Sequence, residues 1–209
     1  MKTDIAIIGA GPAGMLLAHL LAQEGIKAVV LERRDRAYVE ARVRAGVLEQ
    51  VTVDLLRRLG LNARMEREGL VHGGTNLALD GELFHIDLAA LTGGRHVVMY
   101  GQQEVMKDLF DAAPARGVEI VWNAEDVALH GLDGDEPTVT WTVQGEAKQL
   151  ACRFVAGCDG FHGVSRAAIP ATVLRQFERV YPFGWLGILA DVPPADDELV
   201  YANHERGFA

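Results

Sequence analysis

Gly9, Gly11 and Gly14 stand in the spacing GxGxxG, and an acid, Glu32, follows eighteen residues after the third. Where a strand hands over to a helix, the first glycine of such a set permits the tight turn. The second lets a pyrophosphate approach the backbone, and the third lets helix and strand pack closely. The unpaired N–H groups and positive dipole end of that helix favour an anion. A carboxylate at the position of Glu32 accepts hydrogen bonds from an adenosine ribose. A bare glycine-rich turn would need neither the strand before it nor the acid after it, so the set as a whole points to dinucleotide binding.

Two further groups carry chemistry. Five arginines, Arg33, Arg34, Arg36, Arg42 and Arg44, fall within twelve residues directly after the acid. They are either a solvated helical face or a phosphate-binding patch, since arginine engages phosphate bidentately. Asp159-Gly160 is either a plain turn or a second carboxylate at a strand end, which would contact cofactor phosphate or pin its own loop. Cys152 and Cys158 have no zinc-like histidine spacing and read as core thiols, with no metal site.

These residues need a scaffold, and the hydrophobic pattern supplies one. Ile5 to Ile8 is a short apolar run suited to a strand buried on both faces of a parallel sheet. Met15 to Ala22 reads as a buried helix closed by Gly25, and Lys27 to Leu31 as the second strand. Val47 to Leu59 reads as an amphipathic helix on Leu48, Val51, Leu55 and Leu59, stopped by Gly60. Residues 69–96, with two glycine pairs, suggest a small antiparallel excursion. Val97 to Tyr100 is a predicted strand, and Gln102 to Ala113 a predicted helix burying Val105, Met106, Leu109, Phe110 and Ala113. Predicted strands at Val118 to Trp122, Asp126 to His130, Thr138 to Val143 and Lys148 to Val155 give one sheet strand and a β-meander, with a turn at Gln144-Gly145. Two more are predicted at Pro182 to Asp191 and Leu199 to Ala202.

The chain has 209 residues, 49% of them hydrophobic, and a formal net charge of -9. That length holds one good core, or one domain and part of another. The acidic balance argues against nucleic acid or an anionic membrane as main partner. No run approaches a membrane span and no signal segment opens the chain, so a cytoplasmic location is expected. A homo-oligomer is left open.

The blocks GAGPAG with Glu32, ARVRAGVLEQ (41–50), GLVHGG (69–74), YGQQEV (100–105), GCDGFHGVSR (157–166), and ERVYPFGWLGILAD followed by YANHERGFA resemble the class A flavoprotein aromatic hydroxylases along the whole chain. The resemblance implies an α/β fold. A Rossmann-like FAD-binding domain over 1–175, a parallel sheet with a β-meander, would be followed over 176–209 by the start of a mainly antiparallel substrate domain. It implies FAD on Gly9, Gly11, Gly14 and Glu32, with flavin contacts from Arg42, Val43, Arg44, Ala45, Gly46, Val47 and Gln102, and Asp159 in the family's DG role. A reduced pyridine nucleotide, NADPH rather than NADH on account of the arginines, would meet Arg33, Arg34, Tyr38, His162 and Arg166. The implied reaction is ortho-hydroxylation of a small aromatic acid, 4-hydroxybenzoate, with O2. Tyr201, by itself no more than a half-buried phenol on a strand, would hold the substrate hydroxyl, and His72 would be the next member of a proton relay. Family members continue for nearly as long again, so the chain reads as an N-terminal part, expected to be inactive alone.

Overall fold

In the computed structural model, which describes residues 1–44, 46–188 and 190–209, side-chain alternation in the first strand decides the layering. β1 (Ile5–Ile8) sends Ala6 and Ile8 to one face of its sheet and Ile7 to the other, and each lands in a separate core. Being apolar at every position, it sits inside the sheet with a parallel neighbour on both sides. One neighbour is β2 (Ala28–Leu31), in register Ile5↔Ala28 to Ile8↔Leu31. Between them runs α1 (Pro12–Gln23), with proline at its first turn, where the missing N–H costs nothing. Its end is closed as predicted: Gly25, at φ +70°, donates to Ala22 O at 3.1 Å, and Ile26 donates to Leu21 O at 2.9 Å.

After β2 comes α2 (Arg36–Glu40), capped by the Asp35 carboxylate on Tyr38 N. The segment expected to be one helix from Val47 divides into β3 (Val47–Glu49) and α3 (Gln50–Leu59), because Val47 to Glu49 find a ladder partner. The buried stripe of α3 is Val53, Leu56 and Leu59, and Val51 is 74% exposed, which corrects the predicted face. Val53, Leu56 and Leu59 recur at i, i+3 and i+6 on one side, and Val51 stands about 200° round the helix from Val53. Gly60 does end it, at φ +64°.

Next follow α4 (Ala63–Glu68), β4 (Leu70–His72), β5 (Gly74–Leu79), β6 (Glu82–Asp87), α5 (Leu88–Thr92) and β7 (Val97–Met99). β7 is the middle strand of a three-stranded antiparallel sheet, order β3-β7-β4. α6 (Gln102–Ala112) buries Val105, Met106, Leu109 and Phe110 as predicted, with Ala113 buried just beyond it. A 3-10 turn (Pro114–Arg116) leads to β8 (Glu119–Val121), and then come β9 (Glu125–His130), β10 (Thr138–Val143) and β11 (Glu146–Ala151). These last three form the meander, tightened at Gln144 and Gly145, both at positive φ.

The predicted strand from Lys148 to Val155 is two strands. Pairing on β10 ends at Ala151, Cys152 and Arg153 break it, and β12 (Phe154–Gly157) joins a different sheet beside β1. The main sheet has the order β12-β1-β2-β8, all parallel. α7 (Val164–Ala167) follows. No strand forms among the described residues of 182–191, contrary to expectation, because no neighbour offers them a ladder. β13 (Leu199–His204) and β14 (Gly207–Phe208) complete the order, and β13 pairs in parallel with β5 in a sheet β14-β13-β5-β6.

One core face packs Met15, Val30, Leu56, Met106 and Phe110 around Ile7, and the other sets Val139, Trp141 and Leu150 on Ile8 and Leu31. Each such fully buried side chain contributes about 1.5–3 kcal/mol of burial. His19 and Cys152 are fully buried. His19 on α1 meets Leu109 O through Nε2 at 2.8 Å, and burial holds its imidazole below the ordinary value of 6.5. Cys152 is unpaired and buried, and burial pushes its thiol up.

Candidate active site

The glycines are held where their spacing placed them, each for a measurable reason. Gly9 has φ +100°, and a Cβ there would lie 2.6 Å from Cys158 O. On Gly14 a Cβ would lie 2.0 Å from Gly9 O, so helix and loop touch. At Gly11 it would meet no heavy atom within 4 Å, so this backbone faces open space at the start of α1, where no side chain caps the free N–H groups. Such a concavity fits a pyrophosphate.

Glu32 closes the far side. Its Oε2 accepts from Ala10 N and its Oε1 from Arg34 N, each at 2.9 Å. An ionised carboxylate offers about four acceptor positions, so about two remain for ribose hydroxyls. Gly9, Glu32, Arg33, Asp159 and His162 line one cleft of ≈ 360 Å³. The residues present thus fit an adenine dinucleotide such as FAD.

Asp159 is built into this wall as the pin of its loop, since its Oδ2 accepts from Ser165 N at 2.9 Å. A Cβ on Gly163 would lie 2.0 Å from its carboxyl carbon, and one on Gly157 would lie 2.5 Å from Ser165 Cβ. Gly157, Gly163 and Ser165 lie in the block GCDGFHGVSR, which the sequence marks without giving these three a role. Arg166 stacks on Phe161 at 4.1 Å, and His162 meets the same ring edge-on at 4.9 Å. The thiol of Cys158 is pushed up by burial and, secondarily, by Asp159.

The arginines divide into two kinds. Arg34 and Arg42 lie over the Tyr38 ring at 5.1 and 5.5 Å, and Arg42 Nη1 donates to its hydroxyl at 3.1 Å. Arg36 is committed elsewhere. It binds Asp111 and, at 2.6 Å, Glu40 Oε1, and these hydrogen bonds push its guanidinium still higher. Arg42, Val43 and Arg44 are exposed, and Ala45 lies outside the described residues. Gly46 O accepts from Tyr100 N at 2.7 Å, which brings Gly46 and Val47 beside Gly101 and Gln102 at the head of α6.

That helix head is braced by a cluster absent from the sequence reading. Arg64 donates to Asp108 Oδ1 at 2.7 Å and binds Glu104, while Tyr100 OH donates to Asp108 Oδ2 at 2.8 Å. Burial, then the Asp108 hydrogen bond, drives the Tyr100 phenol well above its ordinary range.

His72 and Tyr201 lie on two adjoining sheets. His72 is buried and pairs with Val97 on the sheet that also holds Val47. Tyr201 pairs with Leu77, is 39% exposed, and stacks on Phe208 with ring centres 5.9 Å apart. Its hydroxyl has no hydrogen-bond partner among the described residues. The junction between the two is Glu198, whose Oε2 lies 3.3 Å from His72 Nδ1.

A parallel sheet with a glycine-turned helix and an acid on the second strand defines a dinucleotide-binding protein. The model of the FAD binding domain family matches residues 2–209, and the chain belongs to that family. It is 50% identical over all 209 residues to the p-hydroxybenzoate hydroxylase of Acinetobacter baylyi, spanning 52% of that protein. It is 32% identical over 171 residues, 78% of this chain and 32% of the other, to a probable NADH-specific resorcinol 4-hydroxylase of Rhodococcus jostii. In fold it is similar to P. aeruginosa PqsL in complex with 2-aminobenzoylacetate, with TM-score 0.73 and 22% identity over 87% of this chain and 49% of that one. The chain therefore spans about half the length, or less, of the curated relatives it matches.

Proposed function

We propose that the protein is an FAD-dependent aromatic monooxygenase that converts 4-hydroxybenzoate to 3,4-dihydroxybenzoate with NADPH and O2. The observation that carries this is identity at half of all positions, along the whole chain, to a p-hydroxybenzoate hydroxylase. The cleft that gathers Gly9, Glu32 and Asp159 supports it. FAD, when bound, supplies the redox chemistry that takes two electrons from the reduced nucleotide and delivers one oxygen atom of O2 to the ring.

The chain's own residues bind, orient and move protons. Gly9, Gly11, Gly14 and the N-terminus of α1 receive the pyrophosphate, Glu32 the ribose, and Arg42, Val43, Arg44, Ala45, Gly46, Val47 and Gln102 the flavin end. The loop held by Asp159 closes the cleft. Arg33, Arg34 and Tyr38, with His162 and Arg166, offer cations and an aromatic face to NADPH, and the free arginines favour a 2′-phosphate over NADH. Tyr201 accepts the proton of the substrate hydroxyl as it gives up its own phenolic proton to the relay, leaving the substrate ring electron-rich, and His72 takes up that relayed proton and passes it outward. We take 1–175 as the FAD unit and 176–209 as the opening of a substrate unit, stitched to it by β13 on β5. A reducing cytoplasm suits the two unpaired cysteines, and no helix among the described residues is long and apolar enough to cross a membrane.

The test is Tyr201→Phe in the protein at its natural length. The variant still binds substrate and is reduced by NADPH, yet releases hydrogen peroxide in place of most of the product. Product formed per NADPH consumed, with peroxide assayed in parallel, reads this. A variant coupled as tightly as the parent, at the same rate, returns Tyr201 to a packing role. A parent protein that forms no 3,4-dihydroxybenzoate removes the substrate assignment.

A further inference from the structure

Glu198, the residue before β13, is held from both ends. Its Oε1 accepts from the backbone N–H groups of Gly73 and Gly74, each at 3.1 Å. Its own N–H donates to Asp196 Oδ1 at 3.0 Å, and the same oxygen accepts from Asn76 Nδ2 at 3.2 Å. Asn76 is fixed in turn by His85, whose Nδ1 lies 2.9 Å from Asn76 Oδ1. The remaining oxygen, Oε2, lies 3.3 Å from His72 Nδ1. Both atoms are buried, and neither makes a hydrogen bond to any described residue, so two unpartnered polar atoms stand 3.3 Å apart.

The chemistry of the two atoms leaves one arrangement. An ionised carboxylate only accepts, and a neutral imidazole carries its hydrogen on one nitrogen. With the hydrogen on Nδ1, a small rotation of either side chain turns the 3.3 Å approach into a hydrogen bond that satisfies both atoms. With it on Nε2, two lone pairs face each other in a buried site and neither atom can find a partner in the other. The proton on one ring nitrogen is set by the partner of that nitrogen, and this decides what the other nitrogen does.

We propose that Glu198 is a positioning residue that holds His72 as its Nδ1–H tautomer, so that Nε2 is the atom that accepts the relayed proton. The inference rests on the relay reading of Tyr201 and His72 given above. The proton enters at Nε2, the imidazolium so formed is compensated by the Glu198 carboxylate, and the same proton leaves from Nε2 to water.

The experiment is nitrogen NMR on the FAD-loaded protein with labelled histidine, at alkaline pH, with His72→Gln used to assign the His72 signals. In the parent, Nδ1 shows the shift of a nitrogen bearing hydrogen and Nε2 that of a bare one. In Glu198→Gln the amide oxygen stays on Gly73 and Gly74, the amide NH2 donates to Nδ1, and the two shifts exchange. Proton release on substrate binding, followed with an indicator dye, slows about tenfold or more in that variant. A parent His72 with hydrogen on Nε2 overturns the proposal, and this measurement does not depend on how Glu198→Gln folds. Unchanged shifts in Glu198→Gln also overturn it. If His72→Gln slows proton release and Glu198→Gln does not, the role of Glu198 fails alone; if neither does, the relay reading fails with it.

Discussion

Glu32→Ala removes a carboxylate to which two backbone donors are already attached. Ala10 is fully buried, so its N–H, now 2.9 Å from Glu32 Oε2, would be left without a partner in a dry site. That costs about 1–3 kcal/mol of folding stability. The N–H of Arg34 reaches water and adds little, since Arg34 is exposed. FAD loses a charge-assisted hydrogen bond worth about 1.5–3 kcal/mol, which at about 1.4 kcal/mol per tenfold is roughly ten- to hundredfold in Kd. Two assays separate the effects: urea unfolding of the FAD-free protein, and fluorescence titration of that protein with FAD. A lowered unfolding midpoint with unchanged Kd would make Glu32 a strut of the loop only and refute the ribose contact. If neither moved, the reading of the whole βαβ unit would be wrong.

Gly14→Ala forces a Cβ to 2.0 Å from Gly9 O and costs more than the ~1–3 kcal/mol of ordinary overpacking, whereas Gly11→Ala, in open space at φ -73°, keeps the melting temperature and weakens FAD by about tenfold or more. Melting curves beside FAD titrations check the contrast, and equal losses of stability would contradict it. Neutralising Arg33 and Arg34 to glutamine raises the KM for NADPH strongly and that for NADH little, most at low salt, while Arg36→Gln, already tied to Asp111 and Glu40, lowers stability and leaves the nucleotide preference alone. A preference that shifted only with Arg36 would reverse that assignment. His19 is held below its ordinary 6.5 by burial, so the unfolded chain takes up a proton first as pH falls. Its contribution is complete above about 6.5 and is lost as pH drops toward the lowered folded value. Unfolding free energies from pH 8 to 5 should therefore fall less steeply in His19→Gln, and parallel curves would count against it.

Local pattern was enough wherever a residue's neighbours in sequence are also its physical constraint. GxGxxG with Glu32, the buried stripe of α6 and the Gln144-Gly145 turn are of this kind, because turn geometry and helical period act over a few residues. The face of α3 was misplaced because Val47 to Glu49 pair with β7, about fifty residues away, and nothing within the helix itself reports that ladder. For the same reason an apolar run at 182–191 looked like a strand, since its residue types suit one and, among the described residues, only the absence of a neighbour denies it.

The sequence by itself determined the strand–turn–helix–strand unit, where its glycine turn lies and which acid stands beside it, because each of those depends on short-range sterics and charge. Tertiary structure alone decided which arginines are free, since Arg36 is claimed by Asp111 from α6, seventy-five residues on. It also brought Glu198, just before β13, beside His72, just before β5, because the parallel pairing of β13 with β5 closes a gap of more than a hundred residues. Contacts of that span follow from how sheets stack and pair, a property of the whole chain that no local spacing encodes.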